Sequence, residues 1–81
     1  MRSEILEKLN EIFCDVFDRS SIVINEKTAA GDIKGWDSLM HITLVAEVEE
    51  EFNIKFTMKE ILEMDNVGEM IDIILKRAAS V

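Results

Sequence analysis

Few side chains in this sequence could do chemistry: one histidine (His41), one cysteine (Cys14) and a serine preceded by an acid, Asp37-Ser38, three residues before the histidine. Nucleophilic catalysis would need Ser38 activated by a base that a third group orients, inside a site that excludes water. At 100° per residue His41 falls toward the core side of its helix while Ser38 sits at the exposed first turn, so the imidazole reads as a half-buried, satisfied group. One His and one Cys are too few for a transition-metal site. The acidic stretch from Asp15 has Phe17 and Arg19 where a calcium loop needs oxygen ligands and Ser20 where it needs Gly, so that motif is rejected. No metal is expected. Gly31 and Gly35 are not followed by Lys-Ser or Lys-Thr, which removes the phosphate-cradling loop. What remains is Gly35-Trp36-Asp37-Ser38-Leu39. It lies at the junction of the long loop and the second helix, where a serine in the first turn is exposed beside the free backbone N–H groups and positive end of the helix. The plainer reading is that Asp37-Ser38 only caps the helix.

The elements that must position this segment follow from composition and period. The 81 residues carry 9 Lys+Arg against 17 Asp+Glu, a net charge of −8, which excludes nucleic acid as a natural partner and favours proteins with basic patches. A chain this short forms one domain over 1–81, burying only about 60–65% of the surface its unfolded form exposes, too little for a deep enclosed active site. Apolar residues at 48% and charged ones at 32% are globular composition, and the absence of Pro and Tyr with only three Gly favours helix over a many-turned β architecture. The lone Cys14 cannot close an internal disulfide and reads as a half-buried thiol in a reducing cytoplasm. Apolar runs such as Ile22-Val23-Ile24 stop at three residues, so no membrane span or export signal is expected, nor is there a basic amphipathic helix for lipid surfaces. The expected chain is a cytoplasmic monomer.

Ile5, Leu6, Leu9, Ile12, Phe13, Val16 and Phe17 recur at the spacing of one helical face, predicting a first helix with Ser3 as its N-cap. From Asp18 to Gly35 the period vanishes, and Ile22, Val23, Ile24 and Ile33 predict a long loop packed under its own side chains. A second helix is predicted from Asp37, its N-cap, to Phe52, with Asn53 as a left-handed terminus. It has too many apolar residues for one stripe: Leu44, Val45, Val48 and Phe52 share a core arc, Leu39, Ile42 and Ala46 fall on another, and Met40 lies between. Glu47, Glu50 and Glu51 flank the second arc, which reads as an exposed docking strip edged by acid; burial of both arcs in a crowded bundle is the alternative. Thr57 and Glu60 form a capping box for a short third helix through Leu62 and toward Met64. Asn66 caps a fourth, with Val67, Met70, Ile71, Ile74 and Leu75 on one face and Lys76 and Arg77 at the negative end. Met58, Met64 and Met70 read as ordinary core filler. The fold class is all-α, a small four-helix bundle with three longer helices, a short third one and a long first loop.

Asp37-Ser38-Leu39 opening an acidic helix, Glu49-Glu50-Glu51-Phe52 closing it and the surrounding four-helix spacing closely resemble the acyl carrier protein family over essentially the whole chain. The resemblance implies a non-catalytic carrier whose Ser38 bears a 4′-phosphopantetheine arm transferred from coenzyme A, with acyl groups held as thioesters on its thiol. Ser38 matches the attachment site, Asp37 the preceding acid and Leu39 the apolar residue beside it. It further implies that Leu39, Met40, Ile42 and Ala46 touch partner enzymes while Glu47, Glu50 and Glu51 steer them. Those partners would be a phosphopantetheinyl transferase and the acyl-transferring, synthase and modifying enzymes of a biosynthetic pathway. The core arc with Leu44, Val48 and Phe52 would line the space where a carrier of fatty chains shelters its cargo.

Three positions depart from carriers of primary fatty-acid synthesis: Met40 stands where another acid usually follows the motif, Trp36 where a small residue precedes it, and Thr43 where Glu is common. They look more like stand-alone carriers of specialised pathways such as polyketide, nonribosomal peptide or cell-surface assembly. Two rival readings come from other classes. One is an unmodified acidic helical module that binds a partner through Leu39, Ile42 and Ala46; the other is a small hydrolase using Ser38 and His41.

Overall fold

The computed structural model describes residues 2–79; positions 1, 80 and 81 of the expected 1–81 unit lie outside the described residues. Four helices follow in order: α1 (Arg2–Phe17), α2 (Ser38–Phe52), α3 (Met58–Glu63) and α4 (Val67–Ala79), with a short 3₁₀ turn at Ala30–Asp32 inside the long first loop. Among the described residues there is no strand, as the composition predicts. The apolar stripe of α1 turns Ile5, Leu9, Ile12 and Phe13 inward, and α1 packs against both α2 and α4. Leu44 and Val48 of α2 and Val67 and Ile71 of α4 close the core without exposed surface.

α1 begins at Arg2, so Ser3 lies within the first turn and does not cap it. A tertiary tie holds this end instead. The Arg2 guanidinium donates to Glu26 at 2.5 Å and to Asp72 at 2.6 Å, joining α1, the loop and α4, and Arg2 holds the Glu26 carboxyl below its ordinary range.

The first loop is anchored along its length, which explains how a segment without helical period keeps one conformation. The Asn10 side chain behaves like a neighbouring strand: its amide donates to Ile22 O at 3.0 Å and its oxygen accepts from Ile24 N at 2.7 Å. An extended run held this way alternates sides. Ile24 is buried and Ile22 half-buried, while Val23, expected to pack inward with them, is 87% exposed. Further on, the first N–H groups of α4, which have no partner inside their own helix, bond to loop carbonyls: Val67 N to Thr28 O at 2.9 Å and Gly68 N to Glu26 O at 2.8 Å. A Cβ at position 68 would stand 3.0 Å from Glu26 O, so a side chain there would crowd the loop backbone.

The remaining caps match their sequence signals. Asn53 closes α2 in the left-handed region (φ 54°). Thr57 and Glu60 form the reciprocal capping box of α3, which ends at Glu63 and leaves Met64 outside as its C-cap. Asn66 Oδ1 accepts from Glu69 N at 2.9 Å at the start of α4. Of the three methionines expected in the core only Met70 is fully buried; Met64 is half-buried and Met58 is exposed. Arg77, in the last turn of α4, donates both of its terminal nitrogens to Glu60, at 2.9 and 2.7 Å, and thereby ties the short α3 to α4.

The Glu60 carboxyl is held below its ordinary range first by the Thr57 backbone N–H and then by Arg77, against the opposing effect of burial. A depressed carboxylate contributes stability above its unfolded pKa and loses it as pH falls through the folded value. Glu60→Gln, which keeps the cap but removes the charge, is expected to lower stability by about 1 kcal/mol at neutral pH. Thermal unfolding measured against pH should show the difference from wild type closing on acidification.

Candidate functional site

The junction of loop and α2 is built from one sharp turn and one cap. Gly35 adopts φ 93°, a conformation that side chains rarely tolerate, and this turn delivers Trp36 inward and Asp37 to the helix start. Asp37 is extended, and its Oδ1 accepts from Met40 N at 2.9 Å, while its carbonyl accepts from His41 N at 2.8 Å. Because the carboxylate does the capping, the Ser38 hydroxyl is left exposed and forms no hydrogen bond among the described residues. The N–H groups of Ser38 and Leu39 likewise find no acceptor among them, as expected for a first turn.

Behind Ser38 stands an aromatic layer. Trp36 lies edge-on to Phe13, with ring centroids 5.2 Å apart and an interplanar angle of 86°. Its indole Nε1 donates to His41 Nδ1 at 3.1 Å. An indole nitrogen only donates, so Nδ1 is the acceptor and the ring proton sits on Nε2, which donates to Ile61 O of α3 at 2.9 Å. Both imidazole nitrogens are therefore engaged, one to the loop and one to α3. The half-buried, satisfied histidine expected from the sequence is found; its two partners, 5 and 20 residues away, carried no sequence signal.

Between α2 and α3 an open cleft of about 390 Å³ runs up to Ser38. Trp36, His41 and Ile61 border it on the inside, and Ile42, Met58 and Leu62 on the outside. Met58 and Leu62, four residues apart on one face of α3 and 65% and 75% exposed, were missed in the sequence because a helix this short shows too little period to separate its faces. Leu44 and Val48 do not line this cleft; they are wholly buried in the unloaded protein.

The outer arc of α2 stands as predicted. Leu39 and Ile42 are 74% and 57% exposed, Ala46 is exposed and Met40 half-buried, so the crowded-bundle alternative fails. Glu47, Glu50 and Glu51 are exposed beside it. Glu51 stands 3.7 Å from Lys8 of α1, toward the far side of the strip. Glu49 serves the fold instead, since its carboxylate accepts from Phe56 N at 2.7 Å and fixes the α2–α3 turn.

This geometry coincides with what known proteins show. The family model described as the phosphopantetheine attachment site matches residues 7–74. The acyl carrier protein of Caulobacter vibrioides is 31% identical over 77 residues, covering 95% of this chain and 99% of its own. The chain belongs to the acyl carrier protein family. The solution structure of the holo acyl carrier protein from Geobacter metallireducens superposes with a TM-score of 0.86 at 41% identity, covering 93% of this chain and 86% of the other. A non-reducing polyketide synthase of Emericella nidulans is 30% identical over 68 residues, and there the match spans 84% of this chain but 3% of the synthase.

As a family member the chain is an acyl carrier with 4′-phosphopantetheine as its prosthetic group, and the residues around Ser38 fit that group. The exposed hydroxyl has the chemistry to form a phosphodiester, and the unpaired N–H groups of Ser38 and Leu39 at the positive end of α2 suit its charge. Among the described residues no helix is long and apolar enough to cross a membrane.

The cap on which this arrangement depends can be tested directly. Asp37→Ala removes the acceptor of Met40 N and is expected to cost about 1 kcal/mol, lowering Tm by about 4–8 °C in a domain of this size. Asp37→Asn, which keeps a capping oxygen, should hold most of that stability in thermal denaturation followed by circular dichroism.

Proposed function

We propose that Ser38 Oγ is the point at which the arm is attached, and that the protein acts by tethering and performs no catalysis of its own. The observation that carries this reading is the division of roles at the helix mouth: Asp37 makes the cap and Ser38 keeps an exposed, unbonded hydroxyl. In the attachment step Ser38 Oγ bonds to the phosphorus next to the pantetheine of coenzyme A. The phosphoanhydride bond to the adenosine half breaks, the adenosine bisphosphate leaves, and the hydroxyl proton passes to a base of the transferase. The arm, once bound, supplies a terminal thiol for thioesters. The rest is the chain's own work: α2 presents the attachment point, its exposed Leu39, Ile42 and Ala46 make apolar contact, and Glu47, Glu50 and Glu51 guide enzymes with basic patches.

Covalent tethering raises the effective concentration of cargo at each enzyme without requiring tight docking. The engagement of both His41 nitrogens supports the non-catalytic reading, since neither is left to take a proton from Ser38. The synthases, transferases and modifying enzymes that exchange such cargo are the proposed partners, and Met40, Trp36 and Thr43 favour a specialised pathway.

Incubation with coenzyme A and a broad-specificity phosphopantetheinyl transferase should add one phosphopantetheine to the wild-type intact mass and nothing to Ser38→Ala. An unchanged wild-type mass would favour the unmodified interaction module. Replacing Glu47, Glu50 and Glu51 together by Gln should slow association with the transferase roughly tenfold at low salt. It should also flatten the salt dependence of that rate, measured by stopped flow.

A further inference from the structure

The cleft beside Ser38 and the apolar interior lie back to back. Trp36 is both the wall of the cleft and the cover of Phe13, which has no exposed surface. His41 is fastened on one side to that indole and on the other to the α3 backbone at Ile61. None of the fully buried residues Phe13, Leu44, Val48, Ile71 and Ile74 borders the cleft. A chain held at Ser38 that entered between Trp36 and Ile61 would have to displace His41 from two part-buried hydrogen bonds, which is unfavourable.

We propose that the Trp36–His41–Ile61 bridge bars cargo from the helix interior and keeps it in the surface cleft, making His41 the residue that decides where an acyl chain lies. The proposal rests on Ser38 as the attachment point. The cleft is walled by Ile42, Met58 and Leu62 and opens to water beside Asp37 and Asp65. It suits a short acyl group, or one bearing oxygen or nitrogen along its length, which loses little by staying at a wet surface. A long alkyl chain lying in so open a cleft would leave part of its length hydrated, and each exposed methylene disfavours that cargo. The substrate class favoured is therefore short or polar acyl groups.

The test uses the full chain labelled at its methyl groups and loaded by a transferase from hexanoyl- and dodecanoyl-coenzyme A, with loading established by intact mass before spectra are recorded. In wild type the dodecanoyl chain should shift the methyl resonances of the cleft residues Ile42, Met58, Ile61, Leu62 and Met64 and leave those of the core unshifted. In His41→Ala it should also shift those of Leu44, Ile71 and Ile74. Trp36→Phe keeps a ring against Phe13 but takes away the N–H that fixes His41, and should admit the chain likewise; it decides the matter should His41→Ala fail to fold. Shifted core methyls in loaded wild type, or unshifted ones in both variants, would overturn the proposal while leaving the attachment reading intact. Absence of any mass gain would overturn the attachment reading, and the barrier with it.

Discussion

A core assembled from so few helices can bury only one arc of α2, and the rest of the molecule follows from that limit. Leu44, Val45 and Val48 take the available interior, in one core cluster with the buried residues of α1 and α4. Leu39 and Ile42, equally apolar, have nothing left to pack against and stay in water. Exposed apolar residues grouped on one face, continued by Met58 and Leu62 across the cleft, are more than the scattered hydrophobics of an ordinary surface. On the proposed reading they form a face whose burial awaits a partner. On that reading the acidic residues beside it would give the encounter a preferred direction.

Deferring burial leaves the fold short of apolar contact, and the first loop supplies part of what is missing. Its backbone groups are tied by Asn10 at Ile22 and Ile24 and by the start of α4 at Glu26 and Thr28. A loop fastened at both stretches can hold Gly35 and Trp36 in register with α2, which a free segment of the same length could not do without a large loss of entropy. The segment that carries Ser38 is thus held in place partly by contacts from α1 and α4.

Much of this was legible in the sequence because its signals are local. The four helices, the Asp37, Thr57 and Asn66 caps, the left-handed Asn53 and the two arcs of α2 all rest on residues within a few positions of one another. What was not legible depends on distant partners. Ser3 has the chemistry of a cap, yet Arg2 is anchored to Glu26 and Asp72 and the helix starts earlier. Val23 has the hydrophobicity of its neighbours, but the Asn10 pairing imposes alternation and turns it outward. Met58 is core-like by type and exposed by position, and the bridge from Trp36 through His41 to Ile61 joins three segments that no periodicity connects.

The capping chemistry also bears on the plainer reading in which Asp37-Ser38 serves only to start a helix. A serine that caps sits one residue before the helix, and its hydroxyl accepts from the backbone N–H two or three positions on. Here that place and that bond belong to Asp37, and Ser38 is already the first helical residue. Helix formation therefore does not explain the serine: alanine, the better helix former, would serve the fold at least as well. The same carboxylate that stabilises α2 leaves the neighbouring hydroxyl unbonded, and the N–H groups of Ser38 and Leu39 remain unpaired around it. Stability and availability are divided between adjacent residues, and a residue dispensable to the fold is the one placed where an anion is best received.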